Sequence, residues 1–206
     1  GASQKVVLFT STQPGEGKSF IAGNTAVSLA YMGKKVVIVG LDIRKPGLNK
    51  VFNLSHRTEG ITNYLADPEH TNLFDMIQHS DVSPNLDILP GGPIPPNPTE
   101  LMARTVLEDA IEKLKERYDY IILDTADTAI ASRVADMCVF VCRADVTPKL
   151  GYQYINVLRD QKKFDKLATV INSIDLSSRK AGYGYGYGHK YGYGYGHKYG
   201  YGYGME

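Results

Sequence analysis

The chain has no tryptophan, only two cysteines, and no run of about 18 apolar residues. The last absence excludes a membrane-spanning helix within these residues. Two cysteines are too few for a disulfide-stapled secreted fold. Cys138 and Cys142 stand four apart in MCVFVC. On a strand they share a face but lie too far along it for a short disulfide. The ligand company of a zinc site is missing as well, so they read as plain buried thiols of a reducing cytoplasm. Charge of one sign is not in excess, with 23 basic against 22 acidic residues. That balance gives no electrostatic reason to expect nucleic acid or a membrane surface as partner. No secretory signal precedes the first strand, and GASQ lacks an initiator methionine. A fragment of a longer protein is expected, with room for a membrane segment upstream.

What is present is a series of apolar runs rich in β-branched residues: KVVLFT, KKVVIVGL, NLDILP, YDYIILDT, MCVFVCRA and LATVINS. They are nearly continuous rather than alternating, as in strands buried on both faces. Helical patterns separate them. Residues 18–32 place Ile21, Ala26, Leu29 and Ala30 on one side, with Gly33 at the expected C-terminus. Residues 99–116 read as a helix capped by Thr99, and 149–160 as another. Strand–helix–strand repetition predicts an α/β fold, a parallel sheet with helices on both faces, over a domain of residues 1–178. PGGPIPPNP, 90–98, is expected to be a rigid extended loop.

From Arg179 to the end the chain is nearly free of aliphatic side chains and carries an eight-residue repeat, YGYGYGHK. Glycine at every second position disfavours helix and strand alike, so residues 179–206 are expected to form a flexible, disordered tail. His189 and His197 are two ligands, too few for a good metal site.

The sharpest motif is TSTQPGEGKS, 10–19, placed after a strand and opening a helix. That is the setting of a phosphate-binding loop, whose backbone N–H groups and helix dipole hold anions. Thr12, Pro14, Gly15, Glu16, Gly17, Lys18, Ser19 and Phe20 are the candidate nucleotide contacts. Lys18 is assigned to the β/γ-phosphates and Ser19 to Mg²⁺. Thr12 replaces the usual leading glycine. Magnesium wants further hard oxygens. Asp124 ends YIILD, where a Walker B aspartate stands, and Asp42 follows VVIVGL; both should project from the carboxyl edge of the sheet. Arg44 and Lys45 either answer phosphate charge or stand in solvent. Asn172 is either an adenine contact or a strand-end turn residue.

VVIVGLDIRKP resembles the Walker A′ motif of the bacterial tyrosine kinases, and GGPIPPNPTELM resembles their loop between core and helix. The resemblance spans residues 5–175, with the motifs in the family's order. It implies an ATP- and Mg²⁺-dependent protein-tyrosine kinase with Lys18, Asp42 and Asp124 in catalysis and Ser19, Asp42 and Asp124 around the metal. The acceptors would be tail tyrosines Tyr183, Tyr185, Tyr187, Tyr191, Tyr193, Tyr195, Tyr199, Tyr201 and Tyr203. It further implies homo-oligomeric rings in which a tail enters a neighbour's site, a transmembrane polysaccharide copolymerase as activator, and a tyrosine phosphatase that resets the tail. The location would be the cytoplasmic side of an inner membrane, the role control of capsule or exopolysaccharide export. Two departures stand out. Gly40 occupies the first position of the family's D-x-D, leaving Asp42 alone as metal contact and proton acceptor. Asp127 follows Asp124 almost at once, so a switch-like loop is about half a dozen residues short by the family pattern. The rival readings are a nucleotide-gated scaffold and a division-site or partitioning ATPase, whose loop carries an early lysine where Gln13 and Pro14 stand here.

Overall fold

Every apolar run expected to be a strand is one in the computed structural model, which describes residues 5–55 and 58–175. In chain order the elements are β1 (Val6–Thr10), α1 (Lys18–Tyr31), β2 (Val36–Gly40), α2 (Gly47–Val51), α3 (Ile61–Ala66), β3 (Gln78–His79) and β4 (Leu86–Leu89). Then come α4 (Pro98–Ala103), α5 (Val106–Lys115), β5 (Tyr120–Asp124), α6 (Thr128–Ala131), β6 (Met137–Arg143), α7 (Lys149–Asp160) and β7 (Lys166–Asn172). The sheet order is β3-β4-β2-β5-β1-β6-β7. All neighbours run parallel except β3 against β4. The two-residue β3 has no apolar run behind it, and nothing in the sequence announces it.

Alternate side chains of each central strand leave for opposite faces. Val6 and Leu8 of β1 join Ile121 and Leu123 of β5 under α3, α4 and α5. Phe9 and Ile122 face the other way, against α1 and α2. This two-sided burial explains why the strands read as continuous apolar runs. On α1 the face against the sheet is Ala22, Ala26 and Ala30, with Ile21 and Leu29 only partly buried. Small residues at i, i+4 and i+8 let the helix axis approach the sheet. Gly33, at φ 78°, follows α1 as expected.

The single helix expected over 99–116 is two. α4 and α5 are separated by Arg104, whose ψ of 153° is extended, and the cap position is Asn97 rather than Thr99. Pro98 occupies the first turn, where its missing N–H costs nothing. The break has a partner: the carbonyls of Met102 and Ala103 accept from Arg133 instead of from residues 106 and 107. The loop at 90–98 is pinned, with Ile61 N–H donating to Pro90 O (2.9 Å) and Thr62 Oγ1 to Pro93 O (2.9 Å). Both cysteines are buried and free. The expected tail, with the nine tyrosines read as candidate acceptors, His189 and His197, lies outside the described residues.

Candidate nucleotide and phosphoryl-transfer site

β5 lies between β1 and β2, with Asp124 opposite Phe9 on one side and Gly40 on the other. The loop after β1, the turn after β2 and the end of β5 therefore meet at one point of the carboxyl edge, where open α/β sheets hold their ligands.

The loop from Ser11 to Gly17 turns through two left-handed glycines, Gly15 (φ 86°) and Gly17 (φ 97°). At Gly17 a side chain is excluded twice: the conformation favours glycine, and a Cβ there would collide with the Asn172 amide. α1 starts directly after it, with Ile21 N–H donating to Gly17 O at 2.9 Å. The N–H groups of the first turn are thus left for an anion.

The far side of the loop is held by residues from β6 and β7. Glu16 is completely buried. Its carboxylate accepts from Thr12 Oγ1 (3.0 and 3.2 Å), Gln13 N–H (2.8 Å) and Thr147 Oγ1. Thr147 Oγ1 also accepts from Arg143 N–H (2.7 Å), and Arg143 Nη1 donates to Gly15 O (3.1 Å). Asn172 Nδ2 donates to Glu16 O (3.1 Å), and its Oδ1 accepts from Ser173 N–H (2.8 Å). The Glu16 side chain is therefore a strut behind the loop. Thr147 and Arg143 were not legible as site residues, because their role depends on strand order.

Lys18 Nζ sits between Asp124 Oδ1 (2.7 Å) and Asp42 Oδ2 (3.1 Å). Asp42 is held in turn, as Lys45 N–H donates to its Oδ1 (3.2 Å). The N–H groups of Leu41 and Asp42 both donate to Asp124 O at 3.0 Å, which locks the β2 turn onto β5. Asp124 is 1% exposed, and its Oδ2 has no hydrogen-bond partner among the described residues. A buried carboxylate oxygen left so costs about 1–3 kcal/mol, more when charged. It is aimed at a corner shared with Ser19. A Cβ on Gly47 would collide with Ser19 Oγ and stand 4.0 Å from Asp124 Oδ2.

A hard-oxygen corner of this kind fits Mg²⁺. Among the described residues no three His, Cys, Asp or Glu side chains group as a metal cage. An ion there would rest on Ser19, Asp124 and Asp42 together with phosphate oxygens and water, the usual pattern for magnesium with nucleotides.

Asp42 also opens onto a cleft of about 480 Å³. One wall is α4, with Thr99 and Met102; the other is the 125–130 segment, with Tyr154 behind it. Arg44 Nη2 donates to Thr99 Oγ1 (3.3 Å), and the Tyr154 and Thr128 hydroxyls are 2.9 Å apart. Only Thr125 and Ala126 separate Asp124 from Asp127, which caps α6 by accepting from Ala129 and Ile130 N–H. Of the candidate contacts, Pro14 and Phe20 lie exposed at the flanks, Phe20 at 60%. Thr12 and Gly15 are exposed as well, Gly17, Ser19 and Asn172 are half-buried, and Glu16 and Lys18 are buried. Another cavity, about 440 Å³ between α3 and α5, contains none of these residues.

Comparison with known proteins places the arrangement. The AAA domain family matches residues 4–139. The tyrosine-protein kinase YwqD of Bacillus subtilis is 36% identical over 192 residues, covering 90% of this chain and 78% of its own. The kinase domain of Escherichia coli tyrosine kinase ETK superposes with a TM-score of 0.73 at 26% identity, covering 90% of this chain and 74% of its own. The septum site-determining protein MinD of Pyrococcus horikoshii, complexed with Mg-ADP, has a TM-score of 0.67 at 22% identity, over 81% of this chain and 69% of its own. That last likeness is one of fold.

Proposed function

This chain belongs to the bacterial tyrosine-protein kinases, and from that premise we propose that it transfers the γ-phosphoryl group of ATP to tyrosines of its own C-terminal segment, one copy acting on another. The observation that carries the reading is the meeting of Lys18, Asp42 and the unpartnered Asp124 Oδ2 at the mouth of a cleft able to take a tyrosine side chain.

In such a transfer the bond from the γ-phosphorus to the β–γ bridging oxygen breaks, and a bond to the phenol oxygen forms. The protein's work is positioning and charge neutralisation. The N–H groups of the loop and first turn hold the phosphates. Lys18 exchanges its carboxylates for the β/γ oxygens. Mg²⁺, held by Ser19 and Asp124, would neutralise charge on those oxygens. Asp42, at the junction of phosphate loop and cleft, accepts the phenol proton, since a phenol with a reference pKa of about 10 is a poor nucleophile unaided. Asn172 is the side chain nearest to hand for an adenine edge.

The tail reading rests on the sequence: nine tyrosines separated by glycine offer many equivalent acceptors with little ordering cost. The family resemblance extends the proposal to a ring of copies, a membrane-spanning copolymerase as activator, a phosphatase that resets the tail, and control of polysaccharide export. Intact-mass spectrometry after incubation with Mg-ATP tests the core of it. Mass should rise in steps of one phosphate located within residues 183–203, and not at all in Lys18→Met or Asp42→Asn. ATP binding without phosphotyrosine in the presence of an activator would put a nucleotide-gated scaffold in its place.

A further inference from the structure

We propose that Arg133 is a positioning residue for the tyrosine acceptor: its guanidinium holds α4, one wall of the cleft, in register with the segment that follows Asp124. The inference rests on the acceptor reading of the cleft given above and names a residue outside the phosphate loop on which that reading depends.

The argument begins with the break between α4 and α5. In an uninterrupted helix the N–H groups of Val106 and Leu107 would bond the carbonyls of Met102 and Ala103. Here those two carbonyls accept from Arg133 Nη2 (3.0 Å) and Nη1 (2.9 Å). Leu107 N–H turns instead to Arg104 O (3.3 Å). One planar fork thus substitutes for two helical bonds, which a single ammonium cannot do with the same geometry. Glu108 in the first turn of α5 holds the fork in place, its Oε1 3.1 Å from Arg133 Nη1. Three elements meet at this one side chain.

The consequence lies in what α4 is. A six-residue helix has almost no stability of its own, so its placement is decided by tertiary contacts. It supplies Pro98, Thr99 and Met102 to the cleft, while Thr125 to Ile130 supply the opposite wall. Arg133 stands just beyond α6, on the same excursion of chain as that opposite wall. Its fork therefore fixes the distance between the two walls, and with it the approach of a phenol to Asp42. Among the described residues the Arg133 side chain bonds Met102, Ala103 and Glu108 and no residue of the phosphate loop, so nucleotide binding should be indifferent to it.

The test uses the full chain, wild type and Arg133→Lys, with full-length Lys18→Met protein as the phosphate acceptor in trans. KM for the acceptor should rise on the order of tenfold, while the dissociation constant of a fluorescent ATP analogue stays within about twofold. Hydrogen exchange at the amides of residues 101–107 should quicken in the variant, with the exchange of β1 and α1 unchanged. A merely structural arginine would instead weaken nucleotide and acceptor together. That result, or a variant indistinguishable from wild type in KM and in α4 exchange, overturns the proposal. Wild-type protein that transfers no phosphate under any condition would fail the acceptor reading itself, a separate outcome.

Discussion

At the scale of single residues, the site is a problem in burying charge. Lys18 bridges two carboxylates, one of them 1% exposed, and so offsets the charge of only one of them. Removing one partner of a buried pair costs about 3–5 kcal/mol, because the other charge is left uncompensated. Lys18→Met should therefore lose stability as well as transfer, seen as a fall in the urea midpoint without nucleotide. Adding Asp124→Asn should recover much of that stability and none of the activity. If Lys18→Met is as stable as wild type, the pair is not electrostatically coupled as described. Glu16 presents the opposite case, a buried carboxylate satisfied by hydroxyl and amide donors. Thr147→Val removes one of these donors and the acceptor of Arg143 N–H together. A loss of about 1–3 kcal/mol is expected from the unmade bonds. Weaker ATP binding should accompany it, measurable by isothermal titration, because the loop behind the phosphates loosens.

At the scale of elements, two short helices matter more than their length suggests. α2 brings Gly47 so close to Ser19 that even a methyl group collides with its hydroxyl. Gly47→Ala should leave the fold intact by circular dichroism, displace Ser19 Oγ, and raise the Mg²⁺ concentration needed for half-maximal transfer about tenfold or more. An unchanged magnesium requirement would separate Ser19 from the metal. α4 is the other. Read as a pattern, residues 99–116 look like one amphipathic helix, and local propensity gives no reason to stop at Ala103. The stop comes from an arginine 30 residues further along, which no window of the sequence contains.

At the scale of the molecule, the two-sided sheet sets how the protein answers to pH. Burial pushes the Cys138 thiol up from a usual 9.0 to about 12. Burial, and after it the nearby charge of Glu16, raises Cys142 as well. The Tyr118 phenol moves the same way, first by burial and then by its hydrogen bond to Asp87. Each group has a folded pKa above its unfolded one. The neutral forms thus contribute stability that is fully present below about pH 9 and lost as pH rises towards 12. Denaturant midpoints should fall across that window, and Cys138→Ala with Tyr118→Phe should flatten the slope. A wild-type midpoint flat to pH 11 would contradict it.

The sequence alone determined the strands, because burial on both faces writes itself as continuous apolar runs that survive without knowledge of neighbours. It determined the glycine-rich turn between β1 and α1 too, since Gly15 and Gly17 shape it through local backbone geometry at a strand–helix junction. Asp42 and Asp124 were legible as strand-end carboxylates for the same reason. Only the tertiary structure decided what those groups touch. The sheet order sets β5 between β1 and β2 and so brings Asp42, Asp124 and Lys18 within 3.1 Å. It brings Thr147, just past the end of β6, and Asn172, at the end of β7, to the back of the loop, and it makes the side chain of Glu16, read in the sequence as a candidate nucleotide contact, a buried strut. Such contacts join residues more than a hundred positions apart, as Thr147 and Glu16 are. Local pattern carries the conformation of a segment; which segments become neighbours is settled by packing the whole sheet.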